Sequence, residues 1–171
     1  MLPALPEQEA LAWIGLGGNL GDVRTTLAAA RLALGRHSAR SLLASRLFGS
    51  APWGESTTPG PDYVNQVVGL WTRASPEDLL ALLLSIETSL GRVRGARWGP
   101  RTLDLDLLAL GSETRRTPAL TLPHPRLSLR RFVLLPWADL APACRPPGFD
   151  STVGELLAAC PDPGAVWPLS D

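Results

Sequence analysis

The sequence has no lysine: all 16 basic residues of its 171 are arginine. That absence excludes a Walker-type phosphate loop, which needs a lysine on the phosphates, and any Schiff-base chemistry on a lysine amine. Phosphate handled by this chain must meet arginine, whose planar fork suits it. A coding bias toward arginine explains the composition, and the exclusions stand regardless. Cysteine is scarce: Cys144 and Cys160 have no CxxC spacing and lie far in sequence from His37 and His124. A zinc site has no support, and two scattered thiols suit a reduced, cytoplasmic protein. Net charge is also missing, since 16 acidic residues balance the 16 basic ones. No whole-surface field for nucleic acid or anionic lipid is expected. The apolar run at residues 79–84 is too short to span a bilayer. Glu7 and Glu9 stand where a signal peptide would be basic. Residues 1–10 are therefore expected to form a flexible arm, with residues 11–171 as one domain.

What is present is a regular alternation of apolar segments. Residues 11–17 form a short apolar stretch ending in glycine and read as a buried strand. Asp22 can cap a helix with Val23, Leu27, Ala30 and Leu34 on one face. Residues 41–48 read as a second strand. Residues 51–62 carry three prolines and two glycines and read as a long loop. Residues 63–71 read as a third strand, with Tyr63 and Asn65 on one face. Ser75, Pro76, Glu77 and Asp78 form a strong helix start, and that helix stops near Gly91. Residues 92–100 read as a loop and residues 102–110 as a fourth strand. The order βαββαβ predicts an α+β, ferredoxin-like antiparallel sheet with helices on one face. Beyond Gly111 a hairpin-like turn and helices near residues 127–138 and 152–160 are added.

The chemistry concentrates in one stretch. Along residues 102–107 side chains alternate, so Leu103, Leu105 and Leu107 point into the core. Asp104 and Asp106 then share the other face, with Cα atoms roughly 7 Å apart. Like charges so placed need a counter-ion, and magnesium takes one or two carboxylates together with substrate phosphates. The loop before this strand carries Arg92, Arg94, Arg97 and Arg101 and no acid. Such a loop can fold over a polyphosphate, and Trp98 offers a flat face to a heteroaromatic ring. Gly15-Leu16-Gly17-Gly18-Asn19-Leu20 is not a dinucleotide fingerprint, because Leu20 stands at its last glycine. A strand-to-helix turn accounts for these glycines. His124 lies between Pro123 and Pro125 in a rigid loop, from which it could donate to a phosphate.

At these residues the sequence closely resembles the 6-hydroxymethyl-7,8-dihydropterin pyrophosphokinases of folate biosynthesis. The segments are residues 15–20, 61–65, 91–94, 98–106 (Trp-Gly-Pro-Arg-Thr-Leu-Asp-Leu-Asp), 120–126 and 131–136. The resemblance implies diphosphate transfer from ATP to the hydroxymethyl group of the pterin, with release of AMP, by a cytoplasmic monomer. It implies two Mg2+ ions on Asp104 and Asp106, with Arg92 and Arg101 on the transferring phosphates. It places Glu87, Arg94, Trp98, Leu107, Thr121, His124 and Arg130 around ATP. Pro52, Trp53, Tyr63, Asn65, Trp98 and Phe132 would hold the pterin. The chain departs from the pattern at Leu84, Ala119 and Pro125 and by a shortened arginine loop that leaves Arg97 without an equivalent. These touch the edge of the ATP site rather than its centre. A nucleic-acid or ligand-binding module on the same fold would want paired aromatics on the open sheet face and a basic rim. Here the basic cluster is confined to one loop beside two acids. A relative that binds the pterin without chemistry would be expected to lack some of the central residues, and all of them are present.

Overall fold

The computed structural model describes residues 9–52, 60–91 and 101–170. Its core is the expected antiparallel sheet. β1 (Ala10–Gly18) lies between β4 (Tyr63–Thr72) and β5 (Asp104–Leu110), pairing antiparallel with both. β2 (Leu43–Ala44) and β3 (Phe48–Ser50) pair along the far side of β4, and β8 (Val166–Pro168) extends the sheet beyond β3. A small hairpin pairs β6 (Arg115–Arg116) with β7 (Thr121–Leu122).

Local chemistry sets the helices. α1 (Val23–Gly35) starts where the Asp22 carboxylate accepts from the Thr25 N–H, an N-cap that satisfies one otherwise orphaned donor. α2 (Pro76–Ser89) starts at Ser75, whose hydroxyl accepts from the Asp78 N–H, with Pro76 first in the helix. α1 buries Val23, Leu27, Ala30 and Leu34, the predicted stripe. Both helices cover the sheet face that carries Ile14, Leu16, Val68, Leu105 and Leu107.

The helical additions after β5 pack on the opposite face, while Leu120 and Leu122 of the β6–β7 hairpin join the first core. The predicted helix near residues 127–138 is two pieces: a 3₁₀ turn at Leu127–Leu129, then α3 (Arg131–Leu140). Arg130 between them is extended (φ −121°, ψ 96°), so the chain changes direction there. α3 and α4 (Val153–Ala158) enclose a second core with Trp13, Val67, Leu108, Val133, Leu134 and Trp137. A capping box between Thr152 and Glu155 starts α4.

Two further differences from the sequence-based expectation have physical causes. The strand expected at residues 41–48 is broken at Ser45. Its buried hydroxyl accepts from the Val67 N–H (3.1 Å) and donates to the Arg46 carbonyl (2.7 Å). A side chain that competes with the ladder in this way makes a bulge. The pairing shifts from Ala44↔Val68 to Phe48↔Asn65. The glycines at 15, 17 and 18 are not a turn but lie within β1; only Gly21, with φ +75°, turns the chain. β8 has no sequence signature: three residues ending in proline carry no period.

Leu83 is fully buried between α2 and the sheet. Leu83→Ala is expected to lower unfolding free energy by about 2–5 kcal/mol, measured by urea denaturation.

Candidate active site

α3 covers only part of its sheet face. The remainder is left as a cavity of about 140 Å³. Gly15 and Gly17 form its floor, because their lack of side chains keeps the centre of the sheet open. On one side Gly17 faces Asp104 and Gly15 faces Asp106; on the other they face Asn65 and Val67. A Cβ on Gly17 would lie 3.3 Å from Asn65 Oδ1. The glycines therefore clear the space between two carboxylates on β5 and an amide on β4.

Each carboxylate has a guanidinium beside it. Arg101 reaches Asp104 at 2.8 Å, and Arg130 reaches Asp106 at 3.5 Å. Burial raises the Asp106 carboxyl to about 6, helped by the neighbouring Asp104 charge and opposed by Arg130. About a third of the Asp106 side chain stays exposed, so it is desolvated by the cavity walls and still open to a ligand. Burial pulls the Arg130 guanidinium down, while Asp106 holds it up. Enclosure pushes the Tyr63 hydroxyl up, against the pull of nearby Arg101.

β5 is held from outside the sheet. The buried Glu87 carboxylate of α2 accepts the Leu105 N–H at 2.7 Å, between the two aspartates. At the far wall Asn65 Nδ2 donates to Ser50 Oγ (2.8 Å) and the Phe48 carbonyl (3.4 Å), which fixes the amide. Tyr63, Pro52 and Phe132 complete the lining. The Arg130 guanidinium lies 5.7 Å from the Phe132 ring centroid.

A second hollow, about 260 Å³, opens beside the first. Leu107, Thr121, His124, Ala119 and Pro125 line it with Leu80. Burial pulls the His124 imidazole down to about 4, aided by the Arg130 and Arg126 charges, so it is neutral at pH 7. Its Nδ1 accepts from the Arg126 N–H (3.1 Å), which leaves the proton on Nε2 as a donor. Among the described residues, Asp106 is the one that lines both hollows.

Of the predicted site residues, Arg101, Asp104, Asp106, Arg130, Pro52, Tyr63, Asn65 and Phe132 meet in the first cavity, and Leu107, Thr121 and His124 with Asp106 in the second. Trp53, Arg92, Arg94, Arg97 and Trp98 lie outside the described residues. The departures Ala119 and Pro125 fall on the second hollow, and Leu84 is exposed. Sequence reasoning missed the glycine floor, Ser50 and the reach of Asn19. Asn19 donates to the Pro61 carbonyl (3.2 Å) and accepts from the Arg101 N–H (2.9 Å), joining residues distant in sequence. Its place beside the double glycine was the available signal.

No group of three or more metal-ligating side chains occurs among the described residues. Asp104 and Asp106 still suit magnesium, which binds one or two carboxylates and completes its shell with water and phosphate. Burial raises Asp106 most and the Asp104 charge adds to it; a cation bound to the pair relieves that repulsion. Without metal, Asp106 takes up its proton near pH 6 when folded and near 3.8 when unfolded. The folded state then binds more protons, so this group's contribution is lost as pH rises through that window. Asp106→Asn is expected to be more stable than the parent at pH 8, the gap closing below about pH 4. Thermal melts in chelator across pH check this.

Residues 13–142 match the family described as 7,8-dihydro-6-hydroxymethylpterin-pyrophosphokinase (HPPK). The chain is 43% identical over 171 residues to the 2-amino-4-hydroxy-6-hydroxymethyldihydropteridine pyrophosphokinase of Synechocystis, covering 96% of this chain and 83% of that one. It is 45% identical to the enzyme of that name from Pseudomonas aeruginosa, covering 89% of this chain and 93% of the relative. Its fold is similar to Plasmodium falciparum HPPK-DHPS with pteroate, at a TM-score of 0.70 and 13% identity over 89% of this chain. The chain spans only 42% of that solved chain's length. A central glycine-floored cavity beside paired aspartates is thus accompanied by similarity along nearly the whole sequence, and the chain belongs to the 7,8-dihydro-6-hydroxymethylpterin-pyrophosphokinase family.

Proposed function

We propose that the two hollows seat the two substrates and that reaction occurs where they meet, at Asp106. The chain is a pyrophosphokinase that transfers diphosphate from ATP to the hydroxymethyl group of 6-hydroxymethyl-7,8-dihydropterin, releasing AMP, in folate biosynthesis. The observation that carries the siting is that Asp106, among the described residues, is common to both hollows.

The glycine-floored cavity takes the pterin. A flat bicyclic ring needs a slot without side chains beneath it, and Gly15 and Gly17 provide that floor. Phe132 and Tyr63 offer ring faces, and Trp98 is assigned to the pterin with them. Asn65, fixed by Ser50, offers its amide to the hydrogen-bonding edge of the ring. Pro52 lines this side, and Trp53 is assigned to the pterin with it. The second hollow takes ATP. Leu107 and Thr121 line it and Glu87 holds the strand beneath; Arg94 and Trp98 are assigned to ATP with them. His124, neutral and donating from Nε2, bonds a phosphate oxygen without adding charge.

Asp104 and Asp106 would hold two Mg2+ ions, which neutralise phosphate charge and orient the polyphosphate when bound. Arg101 and Arg130, now against the aspartates, would turn to the phosphates. Arg92 and Arg101 stabilise charge spreading over the transferring group. The hydroxymethyl oxygen attacks the β-phosphorus in line and loses its proton to solvent, the bond from the β-phosphorus to the oxygen bridging the α-phosphorus breaks, and AMP leaves. The protein contributes position and preorganised charge. We place the chain in the cytoplasm as a monomer, and treat residues 11–171 as one pyrophosphokinase domain. No helix of the described residues is long and apolar enough to cross a membrane.

Incubation with ATP, magnesium and 6-hydroxymethyl-7,8-dihydropterin should yield AMP and the pterin diphosphate. ADP, or no product, would refute this reading. Asp106→Ala should lower kcat by about 10²–10³ with its cooperative thermal transition intact. Undiminished turnover in that variant would remove Asp106 from the chemistry.

A further inference from the structure

We infer that residues 162–168, which lie beyond the family match at residues 13–142, hold apart the two walls of the pterin cavity through Asp162 and Trp167. The inference rests on the pterin reading of that cavity.

The first wall is the start of α3, which brings Arg130, Phe132 and Val133 to the cavity. The opening N–H groups of a helix need acceptors from outside it. The N-cap residue here is Arg130, and it makes no side-chain cap. Asp162 supplies the acceptor instead, 31 positions along the chain from Arg131. Its Oδ2 accepts from the Arg131 N–H (3.1 Å), and its carbonyl accepts from Arg131 Nε (3.1 Å). Its Oδ1 accepts from the Gly164 N–H (2.9 Å), which fixes the carboxylate itself. Asp162 is 9% exposed, so these bonds are shielded from water. A negative charge at this helix end is favourable as well. The first turn of α3, and with it the direction of Phe132, is therefore set by a residue outside the helix.

The second wall is the end of β3 and the residues just after it: Ser50, Ala51 and Pro52. β8 pairs with β3 so that Trp167 lies opposite Gly49. The indole fills the place of a side chain at Gly49, where a Cβ would come within 2.5 Å of the ring. The Leu169 N–H continues the ladder to the Leu47 carbonyl at 2.9 Å. Ser50, one residue on, is the partner that fixes Asn65. Both anchors sit on one short strap, which fixes the Phe132 side and the Asn65 side together. Asp162 and Trp167 do not line the cavity; they are positioning residues.

The test is equilibrium binding of 6-hydroxymethylpterin to the full chain without nucleotide, read by pterin fluorescence, with ATP binding measured separately. Asp162→Ala and Trp167→Ala are each expected to weaken pterin binding about five- to tenfold and ATP binding by less than about twofold. Asp162→Asn keeps one acceptor for the Arg131 N–H but sets its amide NH2 against the Gly164 N–H, so it is expected to bind the pterin less tightly than the parent and more tightly than Asp162→Ala. Trp167 is 36% exposed, so its replacement leaves the fold intact and decides the matter should Asp162→Ala fail to fold. Folded variants that bind pterin like the parent overturn the inference. So does an equal loss for pterin and ATP, or an Asp162→Asn as weak as Asp162→Ala. A parent protein that binds no pterin overturns the functional reading and this inference with it. Parent binding with unaltered variants overturns this inference alone.

Discussion

Asp104 and Asp106 point the same way from adjacent rungs of one strand, and the charge on the first makes ionising the second more costly. Much of the surrounding structure manages that repulsion. Arg101 comes from the residues before the strand and Arg130 from a break between two helical pieces. Glu87 secures the backbone between the pair from the other edge. Had residues 127–138 formed one continuous helix, the extended geometry of Arg130 would be lost, and that geometry is what delivers its guanidinium to Asp106. These counter-charges are long arginine side chains rather than a fixed cage, so a metal bringing its own phosphates can replace them.

The sheet serves two cores of different completeness. On one face α1 and α2 cover β1, β4 and β5. On the other α3 and α4 cover only the half bearing Trp13, Val67 and Leu108. The uncovered half contains the two glycines, the two aspartates and Asn65. A bulge in β5 at Leu108 puts both Leu108 and Ala109 on the second core. Leu107 packs on the first core and Leu108 on the second, so one strand contributes leucines to both. The site is therefore space that the packing withholds from the core, rather than a groove added at its surface.

Much of this was legible in the residues. The α1 stripe, the Ser75-Pro76 start of α2 and the alternation that puts Asp104 and Asp106 opposite Leu105 all follow from period and capping rules. The grouping of Tyr63 with Asn65 followed from period two in the same way. What was not legible depended on partners distant in the chain. Gly15 and Gly17 read as a turn because a lone sequence does not show that β1 is central, with ligand space above it. The break at Arg130 lies inside an unbroken apolar pattern, and its capping acceptor is 31 residues away from Arg131. β8 has too few residues to carry a period and exists through its pairing with β3. Ser45 resembles any strand serine, and only the nearness of Val67 on β4 draws its hydroxyl into the ladder.

That hydroxyl has an effect on inheritance. Ala44 is paired with Val68, which belongs to the α1–α2 face, while Phe48 is paired with Asn65, which belongs to the cavity face. The extra residue between them reverses the strand's parity. The bulge absorbs that one residue, so a segment shorter by one would pair without it. Losing one residue there would leave a regular ladder with Phe48 still opposite Asn65, whereas losing two would turn Phe48 and Ser50 to the wrong side and strip Asn65 of its anchor. A deletion that survives in this stretch should therefore remove one residue and not two, a grammatical rule written by one serine into a segment whose composition gives no sign of it.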